Sequence, residues 1–368
     1  MKIERLDLYH VAMPLISPFR TAFGNDDCVE SVFVRMWSGG QYGWGEAAPW
    51  RDPAYSPEWA GGAFILVRDK LAPRLLGQDL RSGQELQQAL AGVKGNYFAK
   101  ASLDLAWWDL HARQLGRPLW SVLRGSGPVV EVGADIGVLE STEALLLEID
   151  QAQQAGFKRL KLKYRPGWEL GMIAAVRARF PDMVIHVDCN SAYSLAQLPM
   201  FRELDRFDLA MIEQPLAHDD LLDHSRLQSE IATPVCLDES IVSPEKARKA
   251  TELKACSWIN IKHGRVGGLT SAVAIHDLCL SAGVPCWVGG MLESAVGQAH
   301  SIALASLPNI HYPSDIFPSR RFYHEDLGEP AVDLCAPSRV RASDGAGIGV
   351  EPHPERLRRQ TLQRAELR

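Results

Sequence analysis

The chain contains six short segments that decide its fold: KLK (161–163), VIHVD (184–188), LAMIE (209–213), PVCLD (234–238), SWINI (257–261) and VPCWV (284–288). All but the first are largely apolar, and amphipathic stretches with helical periodicity separate the segments. Strand-then-helix repetition of this kind is typical of a parallel sheet. The sequence therefore predicts an α/β protein beyond residue 128.

Five polar residues at or just after the ends of these segments recur at nearly one period: Lys163, Asp188, Glu213, Asp238 and Lys262. The first four are each 25 residues apart, and the fifth follows after 24. A period near 25 fits one strand–helix unit, and eight units need about 200 residues, as a TIM-type barrel does. The alternative, an open doubly wound sheet, should carry a GxGxxG loop after its first strand, and the glycines near 264–268 lack that position and spacing.

The first third of the chain has a different pattern. Residues 1–60 alternate like strands and loops, and residues 58–124 have helical periodicity. The clearest helix is FAKASLDLAWWDLHAR (98–113), in which Trp107 and Trp108 are predicted to lie in the core. This part of the chain is therefore expected to be an α+β unit.

Composition excludes several functional classes. The chain has 46% hydrophobic residues and a net charge of −6, so it lacks the basic excess of a nucleic-acid-binding protein. Its seven cysteines include no CxxC pair, which argues against a disulfide framework or structural zinc. We expect a cytoplasmic protein with no membrane partner, since neither a signal peptide nor an apolar run of roughly 18 residues is present. The basic residues from Arg356 onward predict a solvated terminal helix.

Three acids follow three consecutive strands and so predict a metal site. The carboxyl ends of barrel strands open onto one face, which places Asp188, Glu213 and Asp238 together. Clustered acids repel one another, and a hard divalent cation relieves that repulsion. We expect Mg²⁺ here, with Mn²⁺ as a possible substitute. The alternative is that one or two of these acids pair with barrel arginines or lysines.

Lysines flank these acids on both sides. Lys161 and Lys163 are two apart on one strand and point to the same face, whereas Lys262 ends a later strand. A lysine that acts as a base near neutrality needs its pKa lowered from about 10.4 to roughly 7–8. Two such lysines on opposite sides of a small carboxylate substrate permit racemisation, or proton abstraction followed by loss of a leaving group.

These motifs resemble the enolase superfamily, in particular its muconate lactonizing enzyme subgroup. The similar segments are KLK (161–163), HVDCN (186–190), IEQP (212–215), LDES (237–240) and NIKHGRVGG (260–268). Within the subgroup, PGW (166–168) and GGMLES (289–294) are similar to the o-succinylbenzoate synthase and N-succinylamino acid racemase family. The resemblance implies a modified (β/α)7β barrel at 128–324. It also implies an N-terminal α+β capping domain at 1–127, completed by residues from about 325 to 368, and a homo-oligomer such as a dimer or octamer.

The resemblance also implies roles for individual residues. Lys163 and Lys262 would be the acid/base pair, and the metal ligands would be Asp188, Glu213 and Asp238. The implied substrate contacts are Lys161, Asn190, Met291, Glu293, Asp135, Phe19 and Tyr55. Two capping loops, around 19–24 and around 48–58, would close over the barrel and supply the last two of these contacts.

Two positions depart from the family pattern. Asp135 stands on the first barrel strand, where a small hydroxyl residue is expected, and Gln298 stands where many relatives carry Arg. An acid at position 135 either favours a cationic group on the substrate or pairs with Lys161, and we prefer the pairing. The substrate's distal group is therefore left open.

Several activities share this pattern. The main hypothesis is o-succinylbenzoate synthase or N-acylamino acid racemase activity, and both reactions use an enediolate intermediate. A dipeptide epimerase would carry Asp-x-Asp on its last strand, where this chain has only Asp315. A muconate-type cycloisomerase stays possible. An acid-sugar dehydratase is disfavoured by Lys262, and a metal-free Schiff-base lyase or a non-catalytic barrel by the acid triad.

Overall fold

This computed structural model describes residues 1–20 and 25–368. Its first part is an antiparallel sheet covered by helices. The strands are β1 (Arg5–Arg20), β2 (Asn25–Ser38) and β3 (Gln41–Ala47). The helices are α1 (Ala60–Leu66), α2 (Ala72–Leu75), α3 (Gly83–Leu90), α4 (Tyr97–Gln114) and α5 (Leu119–Val122), with a π-helical turn at Val67–Leu71. Helix α4 matches the predicted helix within one residue at each end, and Trp107 is buried in the core beneath the sheet.

The second part is a parallel barrel, which begins after the short strand β4 (Val129–Glu131). Its strands are β5 (Ala134–Ile136), β6 (Arg159–Lys163), β7 (Val184–Asp188), β8 (Ile212–Glu213), β9 (Val235–Leu237), β10 (Trp258–Ile261) and β11 (Cys286–Val288). Each strand pairs with the next along the chain. The helices that follow them are α6 (Thr142–Gln154), α7 (Glu169–Arg179), α8 (Leu198–Leu204), α9 (Leu222–Glu230), α10 (Pro244–Glu252), α11 (Leu269–Ala282) and α12 (Ala295–Ala305).

Residues 310–315 close the barrel. Parallel bridges join Ile310 to Cys286 in β11, and Ser314 to Val132 just before β5. Seven strand–helix units and an eighth strand position result, so the predicted (β/α)7β arrangement is confirmed. The barrel strands are buried on both sides, as their continuous apolar character predicts for a parallel sheet.

Serine side chains fix the starts of several barrel helices. Ser141 accepts a hydrogen bond from the backbone N–H of Ala144, and Ser243 accepts one from Lys246. These contacts satisfy amide groups that the first turn of a helix leaves free. The loops between strand ends and helix starts, which carry the polar residues of the barrel mouth, are thereby held at both ends.

The C-terminal segment returns to the first sheet. It contains β12 (Gly328–Glu329), β13 (Arg339–Arg341), β14 (Glu351–Pro352), α13 (Pro354–Gln360) and β15 (Thr361–Leu367). The prediction of a terminal helix is wrong beyond Gln360, because β15 pairs antiparallel with β1. Ala365 and Leu367 pack against the core of the first sheet, and this burial outweighs the local helical pattern. No helix among the described residues is long and apolar enough to cross a membrane.

Candidate active site

The periodic polar residues meet at the carboxyl ends of the barrel strands. Lys163 ends β6 and is the register partner of Asp188, which ends β7. Asp188 is in turn the register partner of Glu213, which ends β8. Asp238 and Lys262 directly follow β9 and β10. The regular spacing in sequence thus becomes adjacency around one mouth of the barrel.

Lys161 lies at the centre of the acidic cluster. Its Nζ is 3.0 Å from Asp188 Oδ2, 2.8 Å from Glu213 Oε2 and 3.3 Å from Asp315 Oδ2. Burial by itself lowers the pKa of Lys161, but the negative charges of Asp188 and Glu213 outweigh it and hold that pKa well above its usual value. Lys161 is therefore a fixed positive charge.

Lys163 lies on the same strand two residues later and contacts one of the same acids, Asp188. Its Nζ donates a hydrogen bond of 2.8 Å to Asp188 Oδ2. Burial by itself raises the pKa of Asp188, but Lys161 and Lys163 outweigh it and hold that pKa well below its usual range. Asp188 is therefore an ionised carboxylate shared by two ammonium groups.

Lys262 approaches from the other side of the barrel mouth. Its Nζ lies 2.8 Å from Asp238 Oδ2 and donates a 3.1 Å hydrogen bond to the hydroxyl of Tyr55. Burial by itself lowers the pKa of Lys262, but Tyr55 and nearby acids outweigh it, so the pKa lies above its usual value. A lysine that acts as a base near neutrality needs a lowered pKa, and the protein groups around Lys262 do not by themselves lower it.

Glycine at position 289 makes room for Lys262. A Cβ at Gly289 would lie 2.4 Å from Asn260 Oδ1 and 2.7 Å from Lys262 Cε. Both distances are far shorter than van der Waals contact, so a larger residue would displace the lysine. The glycine follows β11 directly and therefore shapes the wall of the site.

The predicted metal-binding acids are all buried, yet they are held by cations. Besides Lys262, Asp238 contacts the guanidinium of Arg265, and its Oδ1 accepts a 3.3 Å hydrogen bond from Tyr55. Among the described residues, no three histidine, cysteine or acidic side chains are arranged so that they could hold a metal ion as they stand. In this structure Asp188, Glu213 and Asp238 form ion pairs with lysines or an arginine of the barrel, as the alternative to a metal site predicts.

The chemistry of the cluster nevertheless fits a divalent cation. Glu239 follows Asp238, and its buried Oε2 has no hydrogen-bond partner among the described residues. Burial, together with the charges of Asp188 and Glu213, raises the pKa of Glu239 to about 7. Unsatisfied carboxylate oxygen and excess negative charge are what a hard cation neutralises. Asn190 connects the acids, since its Nδ2 lies 3.2 Å from both Asp188 Oδ2 and Glu239 Oε1.

A cavity of about 160 Å³ lies over these residues, between the first sheet's loops and the barrel mouth. It is bordered by all three lysines and by most of the predicted substrate contacts: Phe19, Tyr55, Asp135, Asn190 and Met291. The predicted loop around 19–24 falls partly outside the described residues, since residues 21–24 are not described. The loop around 48–58 contributes Trp50, Asp52, Ala54 and Tyr55.

Two predicted contacts differ from the others. Glu293 is not among the residues that border the cavity; its Oε2 accepts a hydrogen bond from the backbone N–H of Met291 and so orders the loop, and its role as a substrate contact stays a prediction. Asp135 does not pair with Lys161. The nearer ammonium is that of Lys163, whose Nζ lies 3.9 Å from Asp135 Oδ2, beyond hydrogen-bonding distance.

Sequence reasoning missed several residues of the site. Trp50 borders the cavity and donates a hydrogen bond to the carbonyl of Met291, which connects the first part of the chain to the barrel. Arg265 donates to the hydroxyl of Tyr55 and contacts Asp238. Arg265 could have been predicted as a site residue, because it lies three residues after Lys262 in a loop at the end of a barrel strand. Trp50 gave no comparable signal, since its role depends on a contact over 241 residues.

Comparisons with known proteins agree with this architecture. Residues 4–124 match the family of mandelate racemase / muconate lactonizing enzyme N-terminal domains, and residues 145–356 match the enolase C-terminal domain-like family. The chain is 43% identical over 360 residues to N-succinylamino acid racemase of Thermus thermophilus, covering 97% of each chain. It is 42% identical over 362 residues to o-succinylbenzoate synthase of Geobacillus kaustophilus, covering 98% of this chain and 96% of the relative.

A solved structure gives the same result for the fold. An enolase-superfamily member from Listeria innocua superimposes with a TM-score of 0.96 at 34% identity, covering 100% of this chain and 99% of the other. Both parts of the chain are therefore arranged as they are in that structure.

Proposed function

We propose that this chain, which belongs to the mandelate racemase / muconate lactonizing enzyme family of the enolase superfamily, removes a proton from the carbon next to a carboxylate. The proposed activity is that of its relatives, o-succinylbenzoate synthase, N-succinylamino acid racemase, or both. One observation carries the proposal. Lys163 and Lys262 border one cavity from strands that are four places apart in an eight-place barrel, so they face a substrate from opposite sides.

The metal that we propose is Mg²⁺, with Mn²⁺ as a substitute, held by Asp188, Glu213 and Asp238. All three side chains are buried carboxylates at the mouth of the barrel, and this cation prefers oxygen ligands. When bound, Mg²⁺ supplies Lewis acidity and positive charge beside the substrate carboxylate.

Lys161 would bind and stabilise the substrate carboxylate. It borders the cavity and keeps its charge, since the neighbouring acids hold its pKa above the usual value. Loss of the α-proton adds negative charge to the carboxylate and gives an enediolate. A preorganised ammonium group in a water-poor site lowers the energy of that intermediate.

The two other lysines would transfer protons. In the racemase reaction, the neutral amine of one lysine removes the α-proton, and the ammonium of the other donates a proton to the opposite face. In the dehydration, the enediolate expels a hydroxyl group, which leaves as water after taking a proton from a lysine ammonium. Both reactions share their first step, so one site can serve both.

Dipeptide epimerase activity is less well supported by the site. The acid expected to bind the dipeptide ammonium, Asp315, lies under the barrel mouth and forms an ion pair of 2.8 Å with Arg159. It also contacts Lys161 and does not border the cavity. Its charge is therefore already compensated.

Deuterium exchange tests the proposal directly. N-succinyl and N-acetyl amino acids would be incubated with the protein and Mg²⁺ in D₂O, and the α-proton signal followed by NMR. Dehydration of 2-succinyl-6-hydroxy-2,4-cyclohexadiene-1-carboxylate would be measured alongside. We expect at least one of the two activities, and their relative rates identify the main one. Absence of both would overturn the proposal.

A further inference from the structure

The charges around the cavity are distributed unevenly. Among the described residues that border it, the cationic side chains are those of Lys161 and Lys163 in β6 and of Lys262 directly after β10. The anionic ones are Asp26, Asp52 and Asp135. Asp26 and Asp52 belong to the first part of the chain, whereas the lysines belong to the barrel. A molecule whose carboxylate contacts the lysines would therefore share the cavity with these acids.

Asp135 is the buried member of this acidic set. It lies in β5, the first strand of the barrel, and is only 7% exposed. Its Oδ1 is buried and has no hydrogen-bond partner among the described residues. Asp26 is partly exposed and Asp52 is exposed, so water can satisfy their carboxylates.

The cations near Asp135 do not satisfy that oxygen. Lys163 lies 3.9 Å from Oδ2, and its hydrogen bond goes to Asp188 instead. Arg321 donates to the backbone carbonyl of Asp135 and pairs with Glu148. A buried carboxylate oxygen without a donor is costly, so a donor supplied by a ligand would be bound strongly.

We propose that Asp135 is a specificity-determining residue that binds a cationic group, an ammonium or a guanidinium, at the distal end of the substrate. The inference rests on the proposed function and narrows its substrate class to amphoteric molecules with a carboxylate at one end and a cation at the other. An anionic group placed there, such as a succinyl carboxylate, would be repelled by the same side chain. Of the proposed activities, the inference therefore favours racemisation of N-acylamino acids that carry a cationic group over reactions of succinyl substrates that lack one.

The cation has two possible chemical sources. It can be the side chain of an N-acylated lysine or arginine, or the free α-ammonium group of a dipeptide. The cavity also has apolar walls from Phe19, Trp50 and Phe317, which suit the methylene chain of a basic side chain. Experiments with both kinds of substrate distinguish the sources.

A matched pair of substrates tests the proposal. N-α-acetyl-lysine and N-α-acetyl-norleucine have side chains of similar length and differ in the ammonium group. We expect kcat/KM for α-proton exchange to be about 10-fold or more higher with the lysine derivative, because a buried charge pair is involved. Alanyl-lysine, alanyl-norleucine and N-succinyl-norleucine complete the panel. A preference for alanyl-norleucine over N-α-acetyl-norleucine, without a preference for either lysine derivative over its norleucine analogue, assigns the cation to the α-ammonium group.

Two variants test whether a preference for the cationic substrate depends on Asp135. Asp135→Asn keeps the shape and removes the charge, so we expect the lysine-to-norleucine ratio to fall to about 1 and activity on N-succinyl-norleucine to rise. Asp52→Asn removes a charge from the exposed rim of the same cavity and should change the ratio less than about 3-fold. A circular dichroism spectrum checks that each variant is folded.

Calorimetric binding of the same ligands gives a readout that does not depend on turnover. No exchange on any substrate contradicts the proposed function, whereas tighter binding of the lysine derivative that is lost in Asp135→Asn still supports this inference. The proposal would be overturned if the unaltered protein used and bound N-α-acetyl-norleucine, which has no cation, as well as or better than both N-α-acetyl-lysine and alanyl-norleucine. An equal loss of activity with every substrate in Asp135→Asn would also overturn it, because it would show that Asp135 acts by positioning Lys163 and not by binding the substrate's cation.

Discussion

The Nζ of Lys163 lies 2.8 Å from Oδ2 of Asp188, its register partner on the neighbouring parallel strand. Asp188 is also one of the three carboxylates proposed to hold Mg²⁺. A proposed base and a proposed metal ligand are therefore in direct contact, and a cation on the carboxylate would compete with the ammonium for the same oxygen. We therefore expect metal binding to Asp188 to change the hydrogen bonding of Lys163.

Removal of the metal should abolish activity. We expect dialysis against EDTA to stop α-proton exchange, with recovery after addition of Mg²⁺ or Mn²⁺, because the carboxylates then regain the charge that stabilises the enediolate. Borohydride added together with substrate checks the Schiff-base alternative. Covalent trapping on a lysine, or activity that survives EDTA, would contradict the account.

A methyl group at position 289 should damage the site. In Gly289→Ala the new Cβ would collide with Asn260 and Lys262, so we expect a loss of about 1–3 kcal/mol in the free energy of unfolding and a lower kcat. Gly171→Ala in helix α7 is the control, since a Cβ there meets nothing within 4 Å. Urea denaturation should find the control unchanged or slightly stabilised. Equal effects of the two substitutions would argue against the steric explanation.

The hydroxyl of Tyr55 should position Lys262. It accepts hydrogen bonds from Lys262 and Arg265 and donates one to Asp238, whereas the ring lies 4.6 Å from the lysine Nζ. Tyr55→Phe keeps the ring and removes these hydrogen bonds. We expect kcat to fall about 10- to 100-fold, as for loss of hydrogen bonds to charged groups. The pH profile of kcat should shift as well, and an effect on KM alone would contradict this positioning role.

Buried histidines should make stability depend on pH. Burial lowers the pKa of His300 to about 4 in the folded protein, against about 6.5 when unfolded. The unfolded chain therefore takes up the proton first, and the contribution of His300 is present above pH 6.5 and is lost as the pH falls to 4. Relative to His300→Gln, the unaltered protein should lose about 3 kcal/mol of unfolding free energy over this window.

Urea denaturation at pH 7, 5.5 and 4.5 measures this difference. His311→Gln is the control, since His311 is exposed. A constant difference between the unaltered protein and His300→Gln at all three pH values would show that His300 titrates normally.

The sequence allowed the barrel and its polar strand ends to be predicted because both depend on local pattern. The 25-residue period is the length of one strand–helix unit, and the carboxyl ends of all strands in such a barrel lie on the same face. Asp188 and Glu213 are adjacent for that reason alone.

Contacts between distant segments could not be predicted in this way. The pairing of β15 with β1 overrides a helical pattern at the C-terminus, and nothing in that segment specifies its partner strand. Trp50 and Arg265 likewise take their roles from contacts across the chain. The sequence did not specify which ammonium group lies nearer to Asp135. In the structure it is that of Lys163, 3.9 Å away, so the predicted pairing with Lys161 was wrong.

Two opposed lysines, Lys163 and Lys262, are the central feature of the proposed mechanism. The decisive measurement is the rate at which each enantiomer of one N-acylamino acid racemises and exchanges its α-proton in D₂O, in Lys163→Ala, Lys262→Ala and, as a control, Lys249→Ala on the exposed face of helix α10. We predict that each of the first two variants loses racemisation by at least about 100-fold, while the control keeps it. Racemisation that survives within about 10-fold in either variant would contradict a mechanism with one lysine on each face.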